Sequence, residues 1–94
     1  MEKIYTRTRA VYKPTLSPAS VAANISAEQT FTVVGLKAGN HVTVNKPTTQ
    51  AGIGIIGARV SAKDTLAINF VNVTAGAIVP TAAQVYTVVQ TDMT

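Results

Sequence analysis

One histidine, His41, and four carboxylates, Glu2, Glu28, Asp64 and Asp92, make up the histidine and carboxylate chemistry of this chain, and it contains no cysteine. A zinc site gathers several nitrogen, sulfur or oxygen ligands, and a general base needs its nucleophile within hydrogen-bond reach. His41 would have to draw either from a distant strand, and no spacing in the sequence supplies one. The expectation is a surface histidine on a β-strand, no catalytic, metal or cofactor-binding residue, and no enzyme. Without cysteine, neither a disulfide framework nor a thiolate metal site holds the chain together.

Gly52-Ile53-Gly54-Ile55-Ile56-Gly57 spells the letters G-x-G-x-x-G. In dinucleotide-binding folds those glycines turn a strand tightly into a helix beneath a pyrophosphate. Here the polar stretch Pro47 to Gln50 precedes the motif, no helical pattern follows it, and the expected downstream acid is absent. The motif reads better as a strand whose small residues let a backbone or a partner pack closely. On that strand Arg59 is placed on the same side as Ile53 and Ile55. It stands either at a strand end in water or in an intersubunit contact with an acid such as Asp64 or Glu28. Lys63-Asp64 reads as a solvated hairpin corner.

The cations cluster at the start of the chain. Residues 1–13 carry Lys3, Arg7, Arg9 and Lys13 against Glu2, so this stretch contributes 4 − 1 = +3 of the net +4. The body is nearly neutral. Such a basic arm, with Tyr5 and Tyr12 interleaved, suits an acidic protein surface better than nucleic acid, because the cations are few and so are the aromatics. Lys3, Tyr5, Arg7, Arg9, Tyr12 and Lys13 are therefore the candidate partner-binding residues. Asn24-Ile25-Ser26 and Asn72-Val73-Thr74 match the glycosylation pattern, and both read as chance occurrences.

The elements that must position these residues are strands. Pro14 and Pro18 bias residues 1–18 toward an extended arm, and the boundary to a domain over residues 19–94 falls near Ser17 to Ser20. Beyond it, short runs rich in Val, Ile, Thr and Phe alternate with turn residues: 20–25, 29–36, 41–46, 53–60, 65–73 and 85–90. Val42 and Val44 alternate with His41, Thr43 and Asn45. Leu66, Ile68 and Phe70 alternate with Asn69 and Val71. Strand 53–60 has apolar residues on both sides and is expected to be covered on both faces. Connections are too short for parallel crossovers, so the expectation is an all-β, antiparallel sandwich, jelly-roll or immunoglobulin-like, of about six strands with an extended N-terminal arm.

Charged residues are only 13 % of the 94, while 47 % are hydrophobic. Average soluble proteins carry roughly 25 % charged residues. A small sandwich so short of charge exposes apolar surface and unguarded strand edges, which neighbours can cover. A homo-oligomer follows as the expectation, with Ile53, Ile55, Ile56 and Arg59 as interface candidates. No run has the apolar length of a membrane helix, and no signal-peptide pattern opens the chain, so the chain is expected to stay in the compartment where it is made, off the membrane.

One ordered set of phrases adds to this. Val42-Thr43-Val44-Asn45-Lys46-Pro47 is followed by Ala51-Gly52-Ile53 and by Ala58-Arg59-Val60-Ser61-Ala62-Lys63-Asp64-Thr65-Leu66. Phe70-Val71-Asn72-Val73-Thr74-Ala75-Gly76-Ala77-Ile78, Pro80 and Tyr86-Thr87-Val88-Val89 complete it. The set spans about half of the chain and resembles small β-sandwich virion proteins of tailed bacteriophages, most of all capsid decoration or cement proteins. The resemblance implies a structural protein without catalytic residues, made in the host cytoplasm and bound to the capsid exterior. Its implied partner is the major capsid protein, and a homotrimer is the favoured assembly. A head-fibre or tail subunit is the alternative within that class, and a small nucleic-acid-binding β-barrel the alternative outside it. The basic arm lies outside these phrases.

Overall fold

The computed structural model describes residues 8–92, and their fold is all-β. Eight strands follow one another: β1 (Arg9–Tyr12), β2 (Thr15–Leu16), β3 (Ile25–Thr32), β4 (His41–Asn45), β5 (Ile53–Ala62), β6 (Thr65–Asn72), β7 (Gln84–Val85) and β8 (Thr87–Thr91). One three-stranded sheet has the order β1-β8-β4 and the other β3-β6-β5, while β2 pairs with β7. All pairings are antiparallel. Only β5 and β6 are both consecutive in the chain and paired, so neither three-stranded sheet is a meander.

The two sheets close on one apolar core. Val42 and Val88 enter it from the first sheet, Leu66, Ile68 and Phe70 from the central strand of the second, and Tyr86 from the break between β7 and β8. Period-two alternation explains the choice, since a strand buried on one face must spend every second residue on the core. Strand β2 adds Leu16 to it, and irregular segments add Val21, Val33 and Leu36.

The expected arm is corrected over much of its length. Arg9 to Tyr12 pair with Val88 to Thr91 of the same chain, and Thr15-Leu16 pair with Gln84-Val85. Pro14 accepts from the Tyr86 amide at 2.9 Å and so bridges the two pairings. Leu16 and Pro18 are buried. The domain therefore starts by residue 9 rather than near residue 19, because the alternation Ala10, Tyr12 against Arg9, Val11 is itself a strand pattern. Lys3, Tyr5 and Arg7 lie outside the described residues. Eight strands replace the expected six: β1 and β2 come from the expected arm, Tyr86 divides the last strand, and the expected strands 20–25 and 29–36 give way to the single strand β3.

Strand β5 holds a second correction. Its register against β6 slips between Ile55 and Gly57 and again between Val60 and Ala62. A bulge inserts one extra residue, so the side chains beyond it exchange faces. Ile53, Ile55, Ala58 and Val60 consequently all turn to the core, across from Asn72, Phe70, Ile68 and Leu66. Ile56 and Arg59 face outward. The strand is not covered on both faces within the chain, and Arg59 is not on the side of Ile53 and Ile55.

Candidate functional site

His41 opens β4 on the outer face of its sheet and is exposed. Among the described residues no three His, Asp or Glu side chains gather as a metal site. The polar chemistry that the fold does assemble is carried by amides. Gln90 is buried on the core side of β8; its Oε1 accepts from the Lys37 amide at 2.8 Å and from Asn40 Nδ2 at 3.2 Å. Its Nε2 donates to the Gly35 carbonyl at 3.2 Å and to the Tyr12 hydroxyl at 3.3 Å. Asp64 completes the knot: its carboxylate accepts from the Gly35 amide at 2.8 Å, while its backbone bonds Val33 and Leu36. The β3–β4 loop is thus tied to β1, β8 and the β5–β6 turn. Lys63-Asp64 is a hairpin corner, but Asp64 is engaged rather than merely solvated, with φ 57°.

The opposite loops are held in the same way. Asn72, 1 % exposed, donates to the carbonyls of Val21 and Gly76 and accepts from the amide and hydroxyl of Thr74. Both its donors are spent, which rules it out as a glycan acceptor in the folded chain. Gln50 bonds the Val79 carbonyl and the Thr81 amide, and Gln29 pairs with both backbone groups of Ala19 at 2.8 Å. Gly52, at φ 78°, lies so close to Thr74 that a Cβ there would collide with the Thr74 methyl. The close approach expected around the glycine motif is therefore met at Gly52, by the chain's own loop. A Cβ on Gly57 would meet nothing within 4 Å. Sequence reasoning missed the roles of Gln29, Gln50 and Gln90; for Gln90 the available signal was an amide following Val88 and Val89 in a strand, where burial demands partners, whereas the polar residues preceding Gln29 and Gln50 gave none.

Two outer faces remain, and they differ in charge. On the β1-β8-β4 sheet, Arg9, Thr91 and His41 stand in one row and Val11, Val89 and Thr43 in the next. The strand residues of this face include no acid, and Lys13 is exposed just beyond β1. Tyr12, expected to reach a partner, instead turns inward, packs on the core and bonds Gln90 and Gly35. Arg9 and Lys13 keep the outward position a partner would need.

The outer face of β3-β6-β5 carries one charge pair. Arg59 Nε and Nη2 donate to the two Glu28 carboxylate oxygens at 2.9 and 2.8 Å, with side chains 64 % and 38 % exposed respectively. Glu28 sits opposite Asn69 and Arg59 opposite Ala67, so the pair straps across β6 and Ala67 is fully covered. The hydrogen bond and charge of Arg59 hold the Glu28 carboxyl below its ordinary value, and Glu28 raises Arg59 in turn. Glu28 is one of the acids the sequence suggested, but the pair forms within the chain and at the surface. Beyond it, Ile25, Ile56, Val71 and Val73 line an open groove of about 360 Å³ together with Asn24, Ser26 and Asn72. Of the four interface candidates, Ile56 and Arg59 lie on this face, while Ile53 and Ile55 are turned to the core.

The fold class is therefore a small all-β sandwich with one cationic and one neutral, apolar-rimmed face. Compared with known protein families, characterised proteins and solved structures, the chain matches none.

Proposed function

We propose that this chain is a structural virion protein of a tailed bacteriophage, of the capsid decoration or cement type, which docks on an acidic part of the major capsid lattice through the outer face of β1-β8-β4. The observation that carries the docking face is the exposed pair Arg9 and Lys13, on and beside strands that include no acid on that side. Cations so displayed favour an anionic surface, and the attraction weakens as salt screens it. The ordered phrases from Val42 to Val89 support the virion class.

A nucleic-acid-binding barrel is less well supported. Single-stranded nucleic acid is commonly held by aromatic platforms over which bases stack, and Tyr12 is turned away from the cationic face. A head-fibre or tail subunit would use the same cationic face on a different virion component.

The test is co-sedimentation with capsid shells that lack the protein. Wild-type chain is expected to bind at low salt and to be released as salt rises, and the double variant R9E/K13E to bind at least about tenfold more weakly. Equal binding by that variant, checked to be folded by circular dichroism, would remove the cationic face from the docking role. Absence of wild-type binding to shells, with binding to tails instead, would move the protein to the tail.

A further inference from the structure

The two faces do not invite the same partner. A chain of net charge +4 repels its own copies wherever its cations are displayed. The outer face of β3-β6-β5 escapes that repulsion, because its only charged strand side chains are Glu28 and Arg59, which cancel. It also exposes large apolar side chains at one end: Ile56 at 59 % and Val73 at 70 %. Beside them, Gly57 leaves open space above the sheet.

We propose that two copies of this chain associate through this face about a two-fold axis, with Ile56 and its apolar neighbours packed against one another. Arg59 of each copy then exchanges onto Glu28 of the other. A two-fold contact requires a self-complementary patch. A neighbouring acid and base provide one, since rotation brings the base of one copy to the acid of the next. Both side chains are exposed enough to change partners without opening the core. The pairing stands independently of lattice docking and specifies a dimer in place of the trimer that the resemblance implies.

Sedimentation equilibrium on the full chain tests it. Wild-type protein is expected to approach twice the 9.8 kDa chain mass at high concentration. I56D should weaken association at least about tenfold with an unchanged circular dichroism spectrum, as a central apolar contact is lost. E28R and R59E should each be monomeric, because each gives the face charges of one sign. An equimolar mixture of the two should restore the dimer, since one variant's basic pair then faces the other's acidic pair. A contact confined to one chain predicts no such rescue. A wild-type monomer or trimer, a dimer indifferent to I56D, or a mixture that stays monomeric would each overturn the two-fold pairing. None of these outcomes alters the shell-binding test, which reads the opposite face.

Discussion

The Tyr86 ring is fully buried, and its hydroxyl has no hydrogen-bond partner among the described residues. An unpaired buried hydroxyl contributes nothing that its removal would forfeit. Tyr86→Phe is therefore expected to leave stability at neutral pH unchanged or raised by up to about 1 kcal/mol in urea unfolding. Burial raises the Tyr86 pKa above its ordinary 10.0. As pH climbs past that ordinary value the unfolded chain loses its proton first, so this residue's contribution is complete below it and is lost as pH rises through the folded value. Y86F should accordingly lose less stability above pH ~10 than wild type does. The glycines offer a second contrast. Gly52→Ala should cost more than about 1 kcal/mol, because the left-handed φ of 78° and the Thr74 methyl both oppose a side chain. Gly57→Ala meets open space, so chemical denaturation should show it within about 0.5 kcal/mol of wild type. Gly52 and Gly57 belong to one sequence motif, and nothing in its spelling separates them; only the loop that returns over Gly52 does.

Among the elements, β1 and β5 depart from the sequence reading with the largest consequence for the outer faces. The proline-punctuated start suggested a free arm, yet Tyr12 lies in the Gln90 network and β1 completes one side of β8. Deleting residues 1–7 is expected to leave thermal unfolding cooperative and close to the full chain. Deleting residues 1–13 strips β1, and its melt should be markedly lower or lost. Similar transitions for both truncations would show that β1 is dispensable. Gln90→Ala removes the partner of the Lys37 amide and the Gly35 carbonyl together, so it should cost about 2–4 kcal/mol, read by denaturant midpoint at constant slope. In β4 and β6 the alternation was legible because no irregularity interrupts it. In β5 a single bulged residue reversed the faces, and a period-two reading cannot see an insertion that only the partner strand's register reveals.

On the two sheets the charged strand side chains are sorted by face: Arg9 stands on the outer side of β1-β8-β4, and Glu28 and Arg59 on the outer side of β3-β6-β5. The basic stretch at the start of the chain places Arg9 beside His41, distant in sequence and separated in the sheet only by Thr91 of β8. Acid should act on the other face. The Glu28 carboxyl titrates below its ordinary 4.5, so the Arg59 pair is intact above that value and is lost as pH falls through the lowered one. Protonation leaves the β3-β6-β5 face cationic, and self-association is expected to fall away in that acidic range while the strands persist. Sedimentation run in parallel with circular dichroism over a pH series checks both halves of that expectation.

Several properties are settled by residue types and spacing alone: one small domain, all-β structure, antiparallel pairing, and core positions such as Val42, Leu66, Ile68 and Phe70. Each depends on local alternation and short connections, which a linear chain displays directly. The tertiary structure decided the rest. It brought Arg9 into a sheet, turned Tyr12 inward and Ile56 outward, joined Arg59 to Glu28, and made amides the ties between loops. These outcomes depend on which distant segments become neighbours and in what register, and alternation within a single segment carries no record of either.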